Sequence, residues 1–180
     1  MIIDENVKYE KINNSVFVQP KAEGYLHSQV MTNLFYEIQK NLKGISCYVS
    51  AGNFNLFLSG DEWTVPDIML FCEKDKIKKY GYKGVPSFVA EIISPYTESK
   101  DRNIKLRTYA QYGIGEYWIV DPPKRKLEIY YLQEKNYVLK DTFIINKNES
   151  GCNCNSISLK DNPTIHIKLE DIFWGTTSEE

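Results

Sequence analysis

The sequence predicts an α/β fold, a mixed β-sheet flanked by helices, and three observations carry that prediction. Leu26, Val30, Leu34, Ile38 and Leu42 recur every four residues, the stripe of a helix that lays one side on a sheet. Ser87 to Ile93 and Glu116 to Val120 are nearly continuous apolar runs, the pattern of central strands covered on both faces. Helices and groups of strands alternate along the chain, which implies a sheet with helices on its faces.

The elements follow in order. Val7 to Ile12 and Ser15 to Val18 read as two strands around Asn13-Asn14, because Asn tolerates the left-handed backbone of tight turns. Leu26 to Leu42 is the first helix, and Gly44 fits its C-terminal cap. Cys47 to Val49, Asn53 to Leu58 and Asp67 to Cys72 read as strands separated by Gly, Ser and Asp. Lys74 to Lys83 is a charged connection, a loop or short turn. After the strand Ser87 to Ile93, Glu98 to Tyr112 reads as a second helix ended by Gly113. Glu116 to Val120 stops at Asp121-Pro122-Pro123. Leu127 to Gln133 and Tyr137 to Ile145 then form an antiparallel pair. Asn146 to Pro163 is polar and loop-like, Ile165 to Ile167 a last short strand, and Glu170 to Trp174 a terminal turn.

Bulk properties set limits. The 180 residues, 42% apolar and 26% charged, suit a single domain over residues 1–180. The net charge of −2 excludes a protein that coats nucleic acid through charge alone, and no basic patch stands out. Cys47 and Cys72 sit in apolar runs and read as buried thiols. Cys152 and Cys154 form a C-x-C pair without the further ligands that structural zinc requires. The opening MIIDENVKYE has no signal-peptide pattern, and no stretch approaches the roughly 18 apolar residues of a membrane span. A cytoplasmic location without membrane association is the expectation.

Two acids stand out by their surroundings. Asp67 starts an apolar strand after Pro66, and Glu91 lies inside Phe88-Val89-Ala90-Glu91-Ile92-Ile93. An ionised carboxylate there is costly unless it is paired, hydrogen-bonded or bound to metal. On adjacent strands the two would converge, and a divalent cation relieves the repulsion of close carboxylates. The residues alone leave two roles open for Glu91, a metal or catalytic site and a buried ion pair that serves packing. Lys105, with Asp101 at i−4 and Tyr109 at i+4, likewise has two readings. One is a solvent-facing pair with Asp101. The other is a cation that reaches the acids.

VPDIMLF, GVPSFVAEIISP and DRNIKLRTYAQYGIGEYWIVDP, in that order from Val65 to Tyr131, resemble the Uma2 family. The shared pattern is Pro-Asp, Glu-x-x-Ser-Pro, Asp-x-x-x-Lys-x-x-x-Tyr, and Gly-x-x-Glu-Tyr-Trp with Asp-Pro following. The resemblance implies a restriction-endonuclease-like, PD-(D/E)XK nuclease core. It also implies Asp67, Glu91 and the Ile92 carbonyl as ligands of Mg²⁺ or Mn²⁺. The nuclease pattern has Lys two residues after the acid, where this chain has Ile93, so the resemblance transfers that role to Lys105, with Lys100 the nearest competitor. Glu10, in the family's Tyr-Glu opening, His27 and Asp101 are secondary candidates. Glu116 and Asp121 flank a strand and are expected to bind backbone or solvent. The implied activity is metal-dependent hydrolysis of DNA phosphodiester bonds. The alternative is a non-catalytic binding or regulatory module on the same fold. The Tyr- and Ile-rich strands after Lys126 either supply a homodimer surface or cover their own sheet.

Overall fold

The structure, a computed structural model, describes residues 7–20, 23–145 and 156–176. Its central sheet contains β3 (Tyr48–Ala51), β6 (Ile68–Phe71), β9 (Phe88–Ile92), β10 (Glu116–Asp121), β11 (Lys126–Gln133) and β12 (Asn136–Ile144). The spatial order is β12-β11-β10-β9-β6-β3. Among the described residues of this sheet only β9 and β10 run parallel, and the helical segment between them makes the crossover that a parallel pair requires. The mixed sheet expected from the two apolar runs is therefore present, with both runs at its centre.

Side chains alternate across these strands and fill two cores. Leu70, Phe88, Ala90, Ile92, Trp118 and Val120 face one side. There they meet Val30, Leu34 and Ile38 of helix α1 (Tyr25–Lys40), together with β14 (His166–Lys168) and helix α3 (Leu169–Ile172). Met69, Phe71, Val89, Ile93, Tyr117 and Ile119 face the other side. That side is covered by Tyr109 of helix α2 (Leu106–Tyr112) and by a second sheet.

The second sheet has the order β2-β1-β5-β4-β8-β7. It comprises β1 (Val7–Ile12), β2 (Ser15–Pro20), β4 (Asn55–Phe57), β5 (Trp63–Thr64), β7 (Ile77–Lys78) and β8 (Gly81–Tyr82). The expected first hairpin is present, and Asn13 and Asn14 both have positive φ, 50° and 60°, as a type I′ turn requires.

Several expectations need correction. Lys74 to Lys83 is not a plain connection; it holds a 3₁₀ turn (Lys74–Lys76) and the β7–β8 hairpin. Residues Lys100–Lys105 form a π-helical turn rather than the start of a regular α-helix. Asn41, not Gly44, caps α1; Gly44, with φ 86°, belongs to the next turn. Within the stretch read as loop, β13 (Ser156–Ser158) pairs with β14. Cys152 and Cys154 lie outside the described residues. Cys47 and Cys72 are not buried thiols. They face each other one step beyond the Tyr48–Phe71 pair of β3 and β6 and form a disulfide, with Cys72 exposed.

β12 forms the far edge of the central sheet and exposes Val138, Leu139 and Ile144. Its register with β11 shifts at Ile129/Tyr130, which leaves Lys140 as an extra residue in a bulge. A bulge carrying a lysine is a common way to blunt an edge against strand addition. Among the described residues no helix is long and apolar enough to cross a membrane.

Candidate functional site

β6 and β9 are neighbours, and their register pairs Ile68 with Ala90. One step further along, Asp67 stands opposite Glu91. Strand alternation puts both on the side of the sheet that carries Met69, Val89 and Ile93. Asp67 is fixed by two donors. The Ile92 amide donates to Oδ2 at 2.8 Å, and His27 Nε2, from the first turn of α1, lies 3.2 Å from the same oxygen. Burial works to raise the Asp67 carboxyl, but the His27 hydrogen bond and charge, together with the Lys105 charge and the Ile92 amide, outweigh it and hold it below its ordinary range. The same contact raises His27 against the opposing effect of burial, and the Nδ1 atom of that ring has no partner among the described residues.

Glu91 is 2% exposed. Its Oε1 accepts from the Tyr109 hydroxyl at 2.7 Å and lies 3.0 Å from Lys105 Nζ. The Thr64 hydroxyl of β5 sits 3.3 Å from the same Tyr109 oxygen. Burial pushes Glu91 well above its ordinary value. Lys105 opposes this, and Asp101, Asp67 and Glu10 add to it. Asp67 Oδ1 and Glu91 Oε2 accept no hydrogen bond among the described residues.

Lys105 is 1% exposed, so the solvent-facing pair with Asp101 is ruled out. Its ammonium lies 3.1 Å from Glu10 Oε1, 3.0 Å from Glu91 Oε1 and 3.4 Å from Asp101 Oδ1. Burial disfavours the charge, yet Glu10 and Glu91 more than compensate and keep Lys105 cationic well beyond the usual range. Lys100, the competitor, turns instead to Glu10 Oε2 and to Gln19 Oε1 of β2. The π turn explains how both lysines reach one acid. On an α-helix of about 3.6 residues per turn, positions five apart diverge by about 140°. A π turn closes its hydrogen bond at i+5 and brings such positions to one side.

Glu10 thus joins the site from the β1–β2 hairpin, fully buried, and also accepts the Val65 amide at 2.8 Å. Burial raises its carboxyl, but the two lysines outweigh that effect and hold it below the ordinary range. Asp101 is raised by burial, with Lys105 opposing. Four buried acids, Glu10, Asp67, Glu91 and Asp101, therefore face two ammonium groups and one imidazole. Among the described residues, no group of three or more His, Cys, Asp or Glu side chains converges as a ready-made metal cage.

Sequence reading did not single out Tyr109, Gln19 or Thr64. Tyr109 was visible as the last position of Asp-x-x-x-Lys-x-x-x-Tyr, one helical turn beyond Lys105. Gln19 and Thr64 carried no sequence signal, because short strands bring them in from the second sheet. Glu116 and Asp121 stand apart from the site. Glu116 accepts from Trp118 Nε1 at 2.7 Å and the Lys160 amide at 2.8 Å, and Asp121 accepts from Lys124 Nζ at 2.8 Å.

Comparison with known proteins agrees with this architecture. A crystal structure of a "putative nuclease belonging to DUF820" from Anabaena variabilis superposes with a TM-score of 0.69 at 18% identity, covering 92% of this chain and 89% of that one. At that identity the likeness shows the fold, which is restriction-endonuclease-like. An uncharacterized protein of Synechocystis is 25% identical over 107 residues, 58% of this chain and 56% of that protein, so the matched region spans about half of the relative. The model of the Uma2 family, described as "Putative restriction endonuclease", matches residues 1–154, and the chain belongs to that family.

Proposed function

We propose that the protein is a metal-dependent endonuclease that hydrolyses phosphodiester bonds in DNA. The observation that carries this reading is the crowding of carboxyl groups in one buried site. Asp67 and Glu91 face each other across adjacent strands, each with one oxygen that accepts no hydrogen bond among the described residues, and Glu10 and Asp101 crowd the same site around Lys105. A divalent cation is the natural complement to such crowding, because it favours the ionised form of carboxyls that burial otherwise keeps protonated. The donor set fits Mg²⁺ or Mn²⁺, because such ions are commonly held by one or two carboxylates and keep several waters. Asp67, Glu91 and the Ile92 carbonyl would hold the ion, which would supply an acidified water and a polarised phosphodiester.

The other roles fall to this chain's own groups. Lys105 neutralises charge as it builds on the phosphate oxygens, and its fixed position means that little reorganisation is needed. Glu10 and Asp101 hold that ammonium in place, while Tyr109 fixes the rotamer of Glu91 through Oε1. His27 does the same for Asp67. None of these side chains is placed as a covalent nucleophile, so direct attack by water is the route these groups allow. The family description and the neighbouring nuclease fold support a nucleic-acid substrate.

The test is plasmid and linear DNA cleavage with Mg²⁺ or Mn²⁺. Asp67→Ala and Glu91→Ala should each abolish cleavage while circular dichroism stays native. Cleavage that survives both substitutions would refute the assignment. Failure of the unmodified protein to bind Mn²⁺ at millimolar concentration in calorimetry would favour a non-catalytic module.

A further inference from the structure

The segment from Glu73 to Lys83 concentrates five lysines, Lys74, Lys76, Lys78, Lys79 and Lys83, against two acids, in a chain of net charge −2. In sequence this stretch is only a charged connection, but folding turns it into a presented surface. Lys74, Lys78, Lys79 and Lys83 are exposed and Lys76 half-buried. Elsewhere Lys8, Lys11, Lys40, Lys100, Lys105, Lys124 and Lys126 are paired with acids, and the lysines without an acid partner among the described residues, Lys43, Lys135, Lys140, Lys160 and Lys168, are scattered over separate elements. Among the described residues, none of the five has an acid partner. Lys78 Nζ donates only to the Asp75 carbonyl, and Lys79 Nζ lies 4.9 Å from the centre of the Tyr80 ring. Glu73, the acid that opens the segment, is approached by the Tyr82 hydroxyl at 3.5 Å.

The surface is also anchored to the fold. β8 pairs with β4 through Asn55–Gly81 and Leu56–Tyr82. A Cβ on Gly81 would lie 2.3 Å from the Asn55 carbonyl oxygen, so only glycine permits this approach. Tyr82 is fully buried and stacks on Phe71 of the central sheet at 4.4 Å between ring centres. The hairpin tip, Lys79-Tyr80, projects from this anchor with the Tyr80 ring 66% exposed.

We infer that the β7–β8 hairpin is a docking surface for the phosphate backbone of duplex DNA, flanking the site built on Asp67, Glu91 and Lys105. This rests on the nuclease reading and names how that site holds its substrate. The spacing is suitable. From β1, which carries Glu10, to β7 the sheet order counts four strand steps. At about 4.8 Å per step that is about 19 Å, or about six base pairs at 3.4 Å each. Ammonium groups at that distance hold phosphates about half a helical turn from the reacting one and add affinity without reading sequence.

The test is equilibrium binding of a labelled 30-base-pair duplex and of one of its single strands, with Ca²⁺ in place of Mg²⁺, across a salt series. A Lys76→Gln, Lys78→Gln, Lys79→Gln triple variant should bind the duplex about tenfold or more weakly at low salt. Its slope of log affinity against log salt should be shallower by about two to three. The corresponding triple Lys→Arg variant should bind like the unmodified protein. Equal affinity and slope for the Gln variant overturn the proposal, and so does a loss confined to the single strand. Failure of the unmodified protein to bind duplex also overturns it. The cleavage assay of Asp67→Ala and Glu91→Ala decides the nuclease reading separately, so a protein that cuts DNA equally well with and without these lysines refutes only the hairpin's role.

Discussion

Glu116 begins β10 at 1% exposure, and its two oxygens take the Trp118 indole and Lys160 amide protons. Burial pushes its carboxyl up from 4.5 to about 7, more than those two hydrogen bonds lower it. A folded-state value above the unfolded one means that the native state binds the extra proton between those two values. The contribution to stability is therefore complete below about pH 4.5 and is lost as pH rises through about 7, a change of about 3 kcal/mol. Glu116→Gln removes the titration and adds a fixed cost for the donor it turns toward Lys160 or Trp118. In urea unfolding at pH 4.5 and pH 8, the stability difference between Glu116→Gln and the unmodified protein should shift by about 3 kcal/mol in favour of the variant at the higher pH. A difference that does not depend on pH would mean that Glu116 is well solvated. At this same scale, Asp67 and Glu91 were legible because a charge inside an apolar strand has no cheap explanation. Lys105 was only half legible. Its spacing to Asp101 fits a surface pair as well as a buried one, and burial on the helix is decided by the second sheet.

Elements were legible in proportion to their length and coverage. β9 and β10 are apolar at nearly every position because both their faces are buried, and α1 shows its stripe over four turns. β5, β7 and β8 are two residues each, too short for any period to register. The π turn at Lys100–Lys105 is invisible because its residues suit an α-helix equally well. The Cys47–Cys72 bond belongs to this scale, since it becomes apparent only once β3 is known to lie antiparallel to β6. It ties the edge strand β3 to the strand that Asp67 leads. Closing a separation of 25 residues contributes about 3 kcal/mol by the chain-entropy account. For a chain of this size that corresponds to about 6–12 °C in melting temperature. Thermal unfolding with and without a phosphine reductant should differ by about that amount, while Cys72→Ser should melt at one temperature in both buffers. Superimposable melts of the unmodified protein would show that the pair does not constrain the chain.

At the scale of the whole molecule, the two cores cannot come apart independently. β6, β9 and β10 supply alternate residues to each, so Leu70, Phe88 and Trp118 line one core while Met69, Val89 and Tyr117 line the other. Stripping the second sheet from its face would expose Met69, Val89 and Tyr117 and leave the site's acids and lysines without their shared partner Glu10. The resemblance that spans Val65 to Tyr131 covers β6, β9, β10, most of β11 and α2, which is why the strands bearing Asp67 and Glu91 were legible as a unit. The second sheet recruits its strands from either side of β3 and β6, and no local pattern announces that assembly. The shared strands predict one cooperative transition. Trp63 of β5, whose indole donates to the Tyr9 carbonyl at 2.9 Å, reports on the second sheet, and the fully buried Trp118 reports on the central one. In variants that retain only one of these two tryptophans, the others replaced by Phe, urea unfolding followed by fluorescence should coincide with far-UV circular dichroism of the same variant. A Trp63 transition that precedes the circular dichroism transition would mean that the second sheet is a separately folding layer. Glu10 would then leave the site before the central sheet unfolds.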